Sequence, residues 1–210
     1  MTSLRETKKA QTRQRISDVA TQMFATRGFE AVTIAEIAEA AGVSKVTVFN
    51  YFPRKEDIFF DRVPEIRSLF GDAIARRGER TPMRALRDLM TDLEQQRHPF
   101  LGLDQRYVRF WRTVLDSPAL RARARELVDD LSDHLAAQIE ASGVADGGAD
   151  GVAAEGPSAR LTAALAVAVV REAFTGAAVR LLAGEPLAEV DAGYRAALVA
   201  GFDHLERGIA

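Results

Sequence analysis

The sequence predicts an all-α protein, with a three-helix unit at the N-terminus and a larger helical body behind it. Three observations predict this. Apolar residues recur at helical spacing along nearly the whole chain. Most of these stretches are bounded by Ser, Thr, Gly or Pro at positions that start or stop a helix. No segment shows the strict two-residue alternation of a half-buried strand, and no internal repeat appears.

The elements follow in order. Ile16, Val19, Ala20, Met23 and Phe24 fall at i, i+3, i+4, i+7 and i+8, the stripe of an amphipathic first helix, which Gly28 ends. Thr33 and Glu36 have capping-box spacing and open a short second helix that buries Ile34, Ile37, Ala38 and Ala41 and stops at Gly42. Ser44 caps a third helix that runs to Phe52, where Pro53 bars its continuation. A fourth helix restarts near Lys55, with Pro64 as the expected kink or break, and the pattern resumes through Ile66, Leu69, Phe70 and Ile74. Thr81-Pro82 starts the next helix, striped by Met83, Leu86, Leu89, Met90 and Leu93. Residues 98–103 read as a loop. Tyr107, Val108, Phe110, Trp111, Val114 and Leu115 make an aromatic-rich helix. Ser117-Pro118 caps another, striped from Leu120 to Ile139. Residues 142–157 hold five glycines and no large apolar side chain, and read as a flexible loop. Two long helices close the chain, 158–183 and 186 to about 207.

Composition narrows the function. Apolar residues make up 47% and charged residues 28% of the 210, an ordinary globular balance. There is no cysteine, which excludes disulfides and thiolate metal sites and fits a reducing, cytoplasmic setting. The N-terminal MTSLRETKKAQTRQR lacks the apolar run of a secretory signal. The charge-free apolar stretch 161–170 is too short to span a bilayer, so no membrane association is expected. His98, His134 and His204 are far apart in sequence and lack metal-ligand spacing; no metal or other cofactor is expected. No nucleophile elbow or phosphate-cradling glycine loop is present, so no catalytic residue is assigned and the chain is not expected to be an enzyme. The net charge of −2 is unevenly spread. Residues 1–55 carry nine Lys/Arg against five Asp/Glu, a formal +4, and the rest carries −6. A basic head on an acidic body concentrates attraction for polyanions at one end.

The informative segment is TIAEIAEAAGVSKVTVFNYF, residues 33–52. Two short helices joined by a three- or four-residue glycine turn make a helix-turn-helix, whose second helix reads the DNA major groove. On that second helix Val48 and Phe52 form a core-facing set with Val43, while Val46, Phe49 and Asn50 point largely away. An apolar residue there suits a thymine methyl group, and Lys45 suits guanine or a phosphate. Thr47, Asn50, Tyr51 and Lys55 suit phosphates, and Thr33 suits a phosphate held at its helix N-terminus.

Residues from about 10 to 70 resemble the DNA-binding domain of the TetR/AcrR family. The match rests on Phe24, Gly28, Thr33, Ile37, Ala38, Ala41, Gly42, Val43, Ser44, Thr47, Tyr51, Phe52, Lys55 and Glu56, and on the string AGVSKVTVFNYFPRKED. Two positions depart from the family pattern: Val46 stands where a small residue is common, and Phe49 where tyrosine is common. The resemblance implies a DNA-binding domain over 1–55 and a regulatory and dimerisation domain over 56–210. It implies double-stranded, near-palindromic operator DNA as partner, contacted by Thr33, Ser44, Lys45, Val46, Thr47, Phe49, Asn50, Tyr51 and Lys55. It further implies a homodimer through 158–183 and 186–207, and release of a repressor by a small, mostly hydrophobic effector. For the effector the candidates are Phe70, Met90, Leu93, Tyr107, Phe110, Trp111 and Phe174, which equally suit plain core packing. Arg109 and Arg112 suit either an acidic effector group or solvent. An architectural or effector-independent DNA-binding protein is the alternative.

Overall fold

The computed structural model describes residues 4–143 and 158–208. Every regular element among them is helical. The glycine-rich segment expected to be a flexible loop lies, from residue 144 to 157, outside the described residues. Among the described residues no helix is long and apolar enough to cross a membrane.

The chain forms two compact units. The head comprises residues up to Val63 together with Thr113–Arg123, and the body comprises Pro64–Arg112 and the chain from Ala124 onward. The compact head thus extends past residue 55. Ile58, in the next helix, is 1% exposed and belongs to the head core, with Phe59 and Phe60 packed against it.

In the head, α1 (Leu4–Arg27) carries Ile16, Ala20 and Phe24 inward. Arg5, Lys8 and Lys9 are exposed on its first turns. The helix α2 (Ile34–Ala40) starts on the expected capping box: the Thr33 hydroxyl accepts from the Glu36 amide, and the Glu36 carboxylate accepts from the Thr33 amide. It ends in a Schellman motif. The Val43 amide donates to the Ala38 carbonyl and the Gly42 amide to Glu39, with Gly42 at φ 65°. A side chain at residue 42 would be strained in that left-handed conformation, so glycine fixes the angle at which α3 (Lys45–Tyr51) leaves.

After α4 (Lys55–Phe59) the chain breaks at residues 60–62, before the proline expected to cause it. Pro64 lies in the first turn of α5 (Val63–Ala75). A helix start leaves its first amides unpaired anyway, so the missing N–H costs nothing there.

The body contains α5, α6 (Pro82–Gln95), two short 3-10 turns (Pro99–Leu101 and Gln105–Tyr107), and most of α7 (Val108–Asp116) and α8 (Pro118–Ala141). Two long helices follow, α9 (Ala159–Leu182) and α10 (Leu187–Gly208). They lie along one another, and α6 packs on both. A Cβ at residue 201 would stand 2.6 Å from a Val169 methyl, so Gly201 permits the close approach. The inward face of α9 is mostly small: Ala159, Ala163, Ala166, Ala173, Ala177 and Ala178, with Val167, Val170 and Leu181 between them. These pack with Phe70, Ile74, Leu86, Met90, Leu135, Tyr194 and Phe202 into the body core.

Candidate functional site

The candidate recognition surface, α3, is a short helix held at both ends. The Ser44 hydroxyl accepts from the Thr47 amide at 3.0 Å and bonds the Thr47 hydroxyl at 2.8 Å. The inward side of α3 is anchored by Val48, fully buried, and by Phe52 just beyond its end, 1% exposed. The Arg13 guanidinium stacks over the Phe52 ring at 4.6 Å and donates to the Asp61 carbonyl at 2.7 Å. With one face so fixed, the opposite face is set. Val46 is 68% exposed and Phe49 49% exposed, with Lys45 and Asn50 also in solvent. Two apolar side chains are thus displayed to water on a rigid, capped helix, at positions the core has no use for.

The remaining candidate DNA contacts divide. Thr33 and Ser44 serve as caps at the starts of α2 and α3 and stay exposed. Tyr51 is half-buried against the head core. Lys55 is turned inward: its ammonium donates to the carbonyls of Phe29 at 2.9 Å and Val32 at 3.1 Å and sits 4.1 Å over the Phe29 ring. Its charge therefore ties the loop between α1 and α2, a role that residue type and spacing alone do not reveal.

Glu36 carries a well-paired charge at the start of α2. The Arg27 guanidinium, 2.6 Å away, and the bonds from Thr33 hold its carboxyl down at about 2. The head also closes over residues 113–123. Leu120 is fully buried in its core, Ser117 donates to the Glu30 carboxylate, and Arg123 pairs with Asp57 at 2.7 Å. Helical periodicity marks Leu120 as buried but not what buries it.

In the body the candidate effector residues come together in part. Phe70, Met90 and Leu93 are buried core. Phe174 and Trp111 lie 6.4 Å apart and Trp111 and Phe110 5.3 Å. Phe100 bridges Phe70 at 6.3 Å and Phe174 at 5.5 Å, although its stretch reads in sequence as plain loop. Tyr107 stands apart from these rings, under Arg106 and beside a cleft of about 60 Å³. Arg109 and Arg112 are exposed. Helical spacing also misses Tyr194, 5.5 Å from Phe174, and the ion pair of Glu94 with Arg195, 2.5 Å long with the carboxylate nearly buried. Burial pushes the Tyr194 phenol well above its ordinary value, and the Glu94 charge adds to the effect. Among the described residues no three His, Asp or Glu side chains are grouped to hold a metal ion.

Comparison with known proteins agrees with this geometry. Residues 16–61 match the family described as bacterial regulatory proteins, tetR family. The transcriptional regulator LuxR of Vibrio harveyi is 48% identical over 46 residues, 22% of each chain. The transcriptional repressor AcnR of Corynebacterium diphtheriae is 27% identical over 128 residues, 61% of this chain and 63% of that one. The chain thus aligns with less than two thirds of the length of these curated relatives. Among solved structures, Thermus thermophilus FadR, a TetR-family transcriptional repressor crystallised with lauroyl-CoA, superposes with a TM-score of 0.50 at 26% identity. That superposition covers 90% of this chain and 94% of FadR. The matched residues 16–61 run from the buried face of α1 through the caps and core of α2 and α3 to just past the end of α4, so it is the head that is similar to the tetR family of bacterial regulatory proteins.

Proposed function

We propose that the chain is a sequence-specific, ligand-responsive transcriptional regulator: a repressor released from a near-palindromic operator by a small, mostly hydrophobic effector. The observation that carries the DNA-binding reading is the outward face of α3. Val46 and Phe49 are exposed beside Lys45 and Asn50 on a helix whose other face is locked into the core. Such a face has the chemistry of major-groove readout, with methyl contacts flanked by hydrogen-bond donors. Thr33, Ser44, Thr47, Tyr51 and the exposed lysines of α1 supply backbone contacts.

A homodimer fits the outer surfaces of the last two helices. Leu161 and Val179 on α9 and Val199 on α10 are exposed apolar residues, and Gly176 on α9 has open space above it. A second copy covering them would shield this surface from water. Two copies related by a two-fold axis would present two recognition helices to half-sites about 34–36 Å apart, or at a multiple of one helical turn. The half-buried rings of the body support an apolar effector, and the lauroyl-CoA bound by FadR makes acyl-chain compounds the first class to try. A DNA-binding role fits a cytoplasmic location.

The test is fluorescence anisotropy on the DNA flanking the protein's own gene, at two salt concentrations and against random competitor. Tight binding by two chains per site, weakening steeply with salt and lost in a Lys45→Ala/Phe49→Ala variant, is expected. Equal affinity for every sequence, unchanged in the variant, rejects sequence-specific readout by α3 and leaves an architectural role. Release of operator by acyl compounds then separates a ligand-responsive repressor from an effector-independent one.

A further inference from the structure

Among the described residues, the body buries a tyrosine hydroxyl with nothing to bond. Tyr194 on α10 is 1% exposed, and its hydroxyl has no hydrogen-bond partner. Arg67, Arg77 and Glu206 also bury an unbonded atom, but each bonds or pairs through another. For Tyr194 the entire hydrogen-bonding capacity is unmet. A buried hydroxyl without a partner is unfavourable, and phenylalanine would fill the same space without that penalty.

The surroundings indicate what the hydroxyl could meet. The Tyr194 ring stands edge-on to Phe174, which touches Phe100 and Trp111. The cleft of about 60 Å³ is lined by the acidic Glu94, Asp104 and Asp191, the basic Arg97 and Arg106, and Tyr107, among others. Asp191 is one helical turn before Tyr194, and the Glu94 charge is felt at the Tyr194 phenol. Phe100 closes the rings from a short 3-10 turn. That turn follows Arg97 at φ 48°, a left-handed conformation unusual for a side-chain-bearing residue, and Gly102 follows at φ 59°. The turn is tied by the Trp111 indole, donating to the Gly102 carbonyl at 2.9 Å, by the His98 ring, accepting from the Phe100 amide, and by the Arg97–Asp191 ion pair at 3.3 Å.

We propose that the Tyr194 hydroxyl is the polar anchor of the effector site, donating to a neutral oxygen acceptor such as a carbonyl on an otherwise apolar molecule. The proposal rests on the ligand-responsive reading above. The carbonyl end reaches Tyr194 from the cleft, and the apolar stem lies against Phe174 and Trp111 in the place of Phe100. A neutral head group fits because the Glu94 carboxylate is nearly buried and already paired with Arg195. The other charges of the cleft are paired as well, Asp191 with Arg97 and Asp104 with Arg106, so an anion or a cation would have to displace an existing partner.

Trp111 is the chain's single tryptophan, so its emission reports on this site directly. The probes share one chain length and differ in head group: methyl hexyl ketone, n-octane, octanoate and octyltrimethylammonium. The ketone is expected to change Trp111 emission at the lowest concentration. Tyr194→Phe is expected to weaken it about tenfold, to the level of n-octane, while the melting temperature holds or rises. Equal ketone affinity in Tyr194→Phe overturns the anchor, as does tighter binding of either charged probe, or silence of Trp111 to all four. Anisotropy on operator DNA keeps the two proposals apart. Ketone binding at Tyr194 without DNA release keeps the site and rejects its regulatory role. DNA release by the ketone that is undiminished in Tyr194→Phe keeps the regulator and rejects the anchor.

Discussion

The outward face of α3 in the head and the interior of the body around Tyr194 depart from the usual rule of solvation in opposite senses. The head displays apolar side chains, Val46 and Phe49, to water on an otherwise well-formed helix. The body hides polar groups, the Tyr194 hydroxyl and the Glu94 carboxylate, among apolar ones. Isolated exposed apolar residues are common on any protein surface, so exposure alone says little. The two in the head become informative because every other feature of α3, its cap, its buried face and its stop, obeys the rule. In the body the orphaned hydroxyl is informative by itself, since buried polar groups nearly always find partners. A surface that contacts another molecule is where either departure can be repaired.

The sharpest test of that contrast lies around one helix. Phe52→Ala removes a fully packed ring from the head core and is expected to cost about 3–5 kcal/mol in urea denaturation. Phe49→Ala, three residues earlier on the outward face, is expected to change stability by less than about 0.5 kcal/mol. Its effect should appear as lost DNA affinity instead. If both variants unfold alike, Phe49 is structural and the recognition face is misassigned.

Another variant probes the body. Arg195 is the partner that makes the buried Glu94 tolerable, bonding it through two nitrogens at 2.5 and 3.2 Å. The guanidinium itself is partly solvated, 59% exposed, so the pair is worth less than a fully enclosed one. Arg195→Met is expected to lower the urea midpoint by leaving the carboxylate unpaired. Adding Glu94→Gln should recover much of that loss, because a neutral amide needs no counter-charge. A double variant as unstable as Arg195→Met alone would show that the arginine acts through packing of its stem.

Much of the head is legible in the sequence because its signals are local. The capping box of Thr33 and Glu36, the left-handed Gly42, the Ser44 cap and the Pro53 stop each act within four or five residues. Together they fix which side of α3 faces inward. What escapes notice is non-local. Lys55 reaches back across 26 residues to the Phe29 carbonyl, and Leu120 joins the head core from far along the chain. The body is built from such non-local choices. Periodicity identifies Phe70, Met90 and Leu93 as buried but does not say against what, and it offers no reason to pair Glu94 with Arg195. Phe100 and Tyr194 escape for the same reason. Phe100 sits outside any helical stripe, and Tyr194 passes for ordinary core until its hydroxyl is seen to lack a partner.

The local character of the head also predicts a small acid sensitivity. Glu36 titrates at about 2 in the folded chain against an ordinary 4.5, because Arg27 and Thr33 bond its ionised form. The unfolded chain therefore binds the proton more readily in that interval. It follows that the stabilisation is complete above about 4.5 and fades as the pH falls towards 2. The site is exposed and screened, so the effect should be smaller than that of losing the Phe52 ring or the Arg195 charge. Melting temperatures of the parent and of Glu36→Gln, compared at low ionic strength from neutral pH downward, check it. The glutamine keeps an oxygen acceptor for the Thr33 amide but loses the charge facing Arg27. The parent should melt higher at neutral pH, and the two curves should converge as Glu36 becomes protonated. A gap that persists unchanged into acid would assign the contribution of Glu36 to hydrogen-bond geometry in the capping box rather than to its charge.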